Sequence, residues 1–476
     1  MNSFSAPAAS VILEAVKPKS KDSRPAVSPA RAAAFDILIR IERESSYATE
    51  LLHSRTYDRL TEVDHSLTTE LVMGVLRWRS VLDFQIGERS SQPLSRLDLE
   101  ILTALRLAVY QLRLSRIPIR AAINESVELV KRARKRSAAP FVNAVLRKLA
   151  TGTSPNHAAQ PAIVYTSVAT LAAGSAHPLW MVERWTKAYG LDSAVRICRH
   201  NQSVPVTGIR IRGPEAEAQL RAEGIDLAPG VLLASARRVE HGDVTRTAAF
   251  RAGLCVIQDE ASQLVAALVG QGTRVLDCCA APGGKTAAIA DRNPNANVTA
   301  VDLHPHRARL LRRLLGVHHP AEAGPGSVRV VAADARNLPF AAEFDRVLAD
   351  VPCSGTGTLA RNPEIKWRLT PHDLADLQVR QVAILRSAMA RVAQGGRLIY
   401  STCSLEREEN EDVIKASLAD DSSFCIIDCR TQLERLQQEG ELVWTDPSSL
   451  TRGPYLRTLP GLHPCDGFFA AILEKY

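Results

Sequence analysis

Between residues 29 and 150 the apolar positions recur at helical spacing and strand signals are absent, which predicts a run of α-helices. The pattern starts at 32–39 and continues over 67–78, 97–114 and 121–135. In the fourth segment Ile123, Val127 and Val130 mark one face, with polar residues on the other. Pro140 then opens a last short helix to 149, as proline does at a first helical position. A separate all-α domain over 29–150 follows from this. Residues 151–176 are rich in small side chains without a period and read as a linker.

A short helix around Trp180–Trp185 precedes 207–212, where Ile alternates with Arg as in a half-buried strand, and a helix over 214–223. The stretch 177–250 therefore reads as a small α+β subdomain. Its arginines face either RNA or the wet side of a small sheet. From 251 to 476 strands and helices alternate. The strands are 274–277, 297–302, 328–331, 344–350 and 397–400, and the helices are 285–292, 307–315 and 371–392. Such alternation predicts a doubly wound parallel sheet with ligands at the carboxyl ends of its strands.

Composition narrows the class. A chain of 476 residues holds two or three domains, and 46% hydrophobic with 23% charged residues is ordinary for a globular protein. No run approaches the roughly 18 to 20 apolar residues of a membrane span. Residues 1–28 lack the parts of a secretory signal and read as a disordered tail. Nine cysteines, two of them adjacent, match neither a disulfide framework nor a zinc spacing. A cytoplasmic protein without a metal is expected. The formal charge of +8 favours a polyanionic partner. Lys131, Arg132, Arg134, Lys135 and Arg136 crowd one helix end, either as a solvated face or as a nucleic-acid footprint.

The candidate chemistry falls at the strand ends. After the strand ending at Asp277, the turn Cys278-Cys279-Ala280-Ala281-Pro282-Gly283-Gly284-Lys285-Thr286 departs from a Walker loop, because Cys279 stands where the first glycine belongs. A Gly-x-Gly-x-x-Gly fingerprint is absent. Instead Asp302, Asp334 and Asp350 follow at successive strand ends. Asp302 is placed to bond two ribose hydroxyls, and Asp334 to accept from an adenine amine. The set suits S-adenosylmethionine, which has hydroxyls and no phosphate. Cys353 and Cys403 each occupy a strand-end setting as well. A thiolate is one of few side chains able to add to C6 of a pyrimidine, so two thiols beside a cofactor pocket suggest chemistry on a base.

Asp277–Thr286, Asp-Val-Pro-Cys-Ser-Gly-Thr-Gly at 350–357, Ser-Thr-Cys-Ser at 401–404 and Arg-Asn-Pro-Glu-Ile-Lys-Trp at 361–367 together resemble the motifs of the RNA cytosine-5 methyltransferases, the NOL/NOP/Sun class. The N-terminal domain resembles the antitermination factor NusB, through residues 123–127 and 141–147. The chain after about residue 29 thus resembles the RsmB-like branch, which acts on small-subunit ribosomal RNA. The resemblance implies a Rossmann-like class I domain dependent on S-adenosylmethionine, preceded by an all-α NusB-like domain and a small α+β subdomain. It assigns the nucleophile to Cys403, product release to Cys353 and the base edge to Asp350. It places Cys279, Ala280, Ala281, Pro282, Gly283, Gly284, Lys285, Asp302, Asp334 and Asp350 around the cofactor. A monomer acting on 16S rRNA is expected. Two alternatives stay open: a transfer RNA cytosine-5 methyltransferase, and a non-catalytic RNA-binding or antitermination module. Within the resemblance, Arg312-Arg313 replaces a segment where the class often has Asn.

Overall fold

The computed structural model describes residues 27–44, 46–114, 118–151, 165, 167–316 and 326–476. Most of the tail expected over 1–28 lies outside them. Helices α1 (Pro29–Glu44), α2 (Ala48–Leu52), α3 (Glu62–Arg89), α4 (Leu99–Leu114), α5 (Ile119–Arg132) and α6 (Ala139–Ala150) form the N-terminal bundle. They close over one apolar core that includes Ile37, Leu71, Leu82, Leu105 and Leu146. Helix α3 is far longer than the segment 67–78. It starts where the Thr61 hydroxyl accepts from the Asp64 amide, satisfying a donor that the first helical turn leaves unpaired.

The span expected to be a linker contains a helix, α7 (Val168–Gly174). Ser167 and Thr170 form a capping box there, and Leu171 packs with Met181, Val182 and Trp185 of α8 (Leu179–Tyr189). Small residues hid this helix because its apolar stripe is only two residues wide. After α9 (Leu191–Gln202), a four-stranded antiparallel sheet follows the order β2-β3-β1-β4, from β1 (Thr207–Ile211), β2 (Asp226–Pro229), β3 (Ala236–His241) and β4 (Cys255–Ile257). Helices α10 (Pro214–Ala222) and α11 (Ala248–Arg251) accompany this sheet. Because β4 pairs with β1, the sheet runs past residue 250, the boundary expected from the sequence.

The C-terminal domain is built on a nine-stranded sheet. Helix α12 (Glu260–Leu268) leads into β5 (Arg274–Asp277), α13 (Gly284–Arg292), β6 (Asn297–Asp302), α14 (Pro305–Leu315) and β7 (Val328–Ala332). Next come β8 (Phe344–Asp350), α15 (Ile365–Arg368), α16 (Pro371–Met389) and β9 (Val392–Thr402). The parallel strands lie in the order β7-β6-β5-β8-β9, so the chain reverses its direction of travel between β5 and β8. That reversal opens a crevice at the carboxyl ends of the strands. The segment α17 (Glu411–Leu418), β10 (Phe424–Ile427), α18 (Cys429–Gln438), β11 (Thr451–Arg452), β12 (Tyr455–Arg457) and β13 (Phe469–Lys475) extends the sheet antiparallel to β9. The sequence reading had not found these last strands.

One short segment joins the bundle to this domain. The Lys366 side-chain nitrogen, in a residue 1% exposed, donates to the carbonyls of Arg77 and Ala176, each at 2.8 Å. The Trp367 indole donates to Leu76 O at 2.6 Å, and Glu364 accepts from the Ala48 amide at 3.0 Å.

Candidate active site

Sheet register decides which side chains meet. Asp350 of β8 is paired with Ser401 of β9, so the loops that leave these two strands start side by side. Cys353 lies three residues beyond Asp350 and Cys403 two beyond Ser401. Their sulfurs stand 3.1 Å apart, and both side chains are partly exposed. The contact with Cys403 and burial both hold the Cys353 thiol well above the ordinary thiol range. Cys353 therefore keeps its proton at neutral pH. The Asp350 carboxylate accepts from Lys285 Nζ and from the Ser401 hydroxyl, each at 2.7 Å. Burial works against the charge on Lys285, but Asp350 more than offsets it and raises the lysine's pKa. Lys285 also sits 5.1 Å from the centre of the Phe468 ring.

Beside this pair lies a cavity of about 510 Å³, lined among others by Cys278, Cys279, Asp302, Asp334, Pro352 and Ile384. Asp302 is 6% exposed, and one of its oxygens accepts from the His304 amide at 2.9 Å. Asp334 pairs with Arg336, whose guanidinium and backbone amide bind its carboxylate at 2.7 and 2.9 Å and lower its pKa. Carboxylates at strand ends beside apolar walls suit hydroxyl and amine donors. The residues present therefore fit S-adenosylmethionine. Ala280, Ala281, Pro282, Gly283 and Gly284 build the turn above β5. Gly283 has φ +115°, and a Cβ there would come within 2.6 Å of Leu311 Cδ1. The turn is anchored by Asp277, which accepts from the Thr286 hydroxyl at 2.7 Å and the Cys279 amide at 3.4 Å. Burial lifts the Asp277 carboxyl to about 6. Lys285, expected among the cofactor residues, donates to Asp350, which is expected there too.

Sequence reasoning missed the residue that couples the two cysteine loops. Glu409 is fully buried. It accepts from the Ser354 amide at 2.7 Å, from Gln381 Nε2 at 2.9 Å, and from the hydroxyls of Ser354 and Ser404. Each serine directly follows one of the two cysteines. Asn410 adds a bond from its Nδ2 to Ser404 O at 2.9 Å, and Thr356 accepts from the Leu405 amide at 2.9 Å. The signal available was the acidic run Glu408-Glu409-Asn410-Glu411 shortly after Cys403.

Other residues singled out in the sequence also meet groups of the protein. Trp367 belongs to the joint between domains. The arginines of the strand at 207–212 face the protein: Arg210 and Arg212 both pair with Asp291. In the basic cluster near 131–136, Lys131 pairs with Glu128, Arg132 with Asp36 and Lys135 with Asp98. Among the described residues no group of His, Cys, Asp or Glu could hold a metal ion, and no helix is long and apolar enough to cross a membrane.

The sequence profile of the 16S rRNA methyltransferase RsmB/F family matches residues 266–474, and that of the NusB family matches 28–151. The chain is 34% identical to a probable ribosomal RNA small subunit methyltransferase B of Bacillus subtilis (strain 168), over 94% of this chain and 98% of the relative. Ribosomal RNA small subunit methyltransferase B of Salmonella typhi is 32% identical over 88% and 92% of the two chains. Among solved structures, PH0851 superposes with a TM-score of 0.75 at 23% identity, covering 94% of this chain and 99% of that one. A methyltransferase homolog from Pyrococcus horikoshii superposes with a TM-score of 0.53 at 25% identity, over 66% of this chain and all of that one.

Proposed function

The chain belongs to the 16S rRNA methyltransferase RsmB/F family, as an RNA methyltransferase dependent on S-adenosylmethionine, and on that footing we propose that it methylates C5 of a cytosine in 16S rRNA through a transient bond to Cys403. The observation that carries this reading is the pair of sulfurs 3.1 Å apart at adjacent strand ends, beside the cofactor cavity.

C5 of cytosine is a poor nucleophile until a sulfur adds at C6. Cys403 Sγ forms the bond to C6, and Asp350, held by Lys285 and Ser401, keeps the N3/N4 edge of the base in place. Bound S-adenosylmethionine supplies an electrophilic methyl group to the carbon so activated. Loss of the C5 proton to solvent and cleavage of the C6–sulfur bond, its electron pair returning to Cys403 Sγ, then restore the aromatic ring. Cys353, protonated and in contact with the departing sulfur, assists that cleavage. The target base must leave its stack to reach this site. All nine cysteines are free, which supports a reducing compartment such as the cytoplasm.

The test is nucleoside mass spectrometry after incubation with S-adenosylmethionine and either a 16S rRNA or a transfer RNA transcript. 5-Methylcytidine in the 16S transcript alone is the expected result. Its appearance only in transfer RNA, or methylation at another cytidine position, would overturn the proposal.

A further inference from the structure

The surplus positive charge of the chain is concentrated on one helix. Helix α14 carries Arg307, Arg309, Arg312 and Arg313 and no Asp or Glu, so it contributes +4 of the formal +8. All four arginines are exposed, and so are His304 and His306 just before and within the helix. Four exposed arginines on other helices pair within one turn: Arg40 with Glu44, Arg221 with Glu217, Arg430 with Glu434 and Arg435 with Glu439. On α14, Arg309 and Arg313 have no acidic partner among the described residues. They lie four residues apart, a like-charge spacing that weakens a helix unless an opposite charge lies across it. Leu303, Leu310 and Leu314 are exposed at 52%, 42% and 53%, so the basic face is also partly apolar. At its N-terminal end, His304 and Arg307 line the cofactor cavity.

We propose that the exposed face of α14 binds backbone phosphates of the ribosomal RNA substrate. The proposal rests on the RNA methyltransferase reading above and adds the surface that holds the RNA. Guanidinium groups match phosphate oxygens bidentately, and such contacts position a nucleic acid without reading its sequence. The helix-end cluster near 131–136 is a weaker candidate, because Glu128, Asp36 and Asp98 already neutralise three of its five cations.

The test is filter binding of the full chain to a 16S rRNA transcript across a salt series, with two double variants. R309Q/R313Q removes two unpaired cations. R430Q/R435Q removes two paired ones and controls for net charge. Each phosphate contact contributes about 0.7 to 0.9 to the slope of log affinity against log salt, so R309Q/R313Q should lower that slope by about 1.4 to 1.8. R430Q/R435Q should keep the wild-type slope, and both variants should bind S-adenosylmethionine normally. An unchanged slope for R309Q/R313Q, an equal loss for R430Q/R435Q, or weaker binding without a change of slope would overturn the proposal. Wild-type protein that binds the transcript with this slope but forms no 5-methylcytidine would count against the cytosine-5 reading alone.

Discussion

The sulfur of Cys353 touches that of Cys403 across 50 residues of sequence, and the carboxylate of Glu409 binds the residue after each. Strand register brings the loops together, and one buried carboxyl group bonded to both fixes their separation. A thiol that keeps its proton thereby stands against the sulfur that the proposed reaction must release.

Replacing Glu409 by Ala should separate the loops without touching the cofactor cavity. The Ser354 amide would lose its acceptor, at about 1–3 kcal/mol for a buried donor left unpaired, while Gln381 Nε2 would keep only Pro352 O at 3.0 Å. Misplacing a reacting atom by about 1 Å can cost on the order of 100-fold. Steady-state kinetics should therefore show kcat down by roughly that factor, with affinity for S-adenosylmethionine within about twofold of wild type. An unaltered kcat would remove Glu409 from the account.

Gly357 tests the same loops through packing. A Cβ there would approach Gly467 O to 2.1 Å and Cys403 O to 2.9 Å, and both are backbone atoms with little freedom to yield. Gly357→Ala should destabilise the protein by about 1–3 kcal/mol and reduce methyl transfer, as overpacking does. Denaturant unfolding measures the first effect, and equal midpoints for the two proteins would contradict it.

Lys366 gives the joint between domains a pH dependence. Burial depresses its pKa from 10.5 to about 7. Between those values the unfolded chain binds a proton that the folded chain does not, so stability rises with pH in that window. From pH 7 to 8.5 the gain is roughly 2 kcal/mol, at 1.36 kcal/mol per unit. Asp277 and Asp466, raised by burial to about 6 and about 7, act in the opposite sense at lower pH, where stability falls as pH rises. Urea melts at pH 7 and 8.5 should show the gain in wild type and lose it in Lys366→Met. An identical pH response in both would be inconsistent with a neutral lysine at the joint.

Three of the parallel strands were legible because each is a short apolar run ending in an acidic residue, at Asp277, Asp302 and Asp350. Cys353 and Cys403 were legible because their settings are local. Glu409 was not, since its value comes from Ser354, 55 residues away, and from complete burial, which no spacing announces. Charge was misjudged for the same reason. Arg132 looked free until the fold brought Asp36 to it across 96 residues, whereas Arg312 and Arg313 stood out only as a departure from the resembled family.

The most direct measurement is covalent trapping of a 16S rRNA transcript in the presence of S-adenosylmethionine. With Cys353→Ala, the transient bond should persist, giving a protein–RNA species that survives a denaturing gel. With Cys403→Ala, no such species and no methyl incorporation should appear. Adduct formation by the Cys403 variant, or undiminished methylation with serine at that position, would contradict the assignment of the nucleophile.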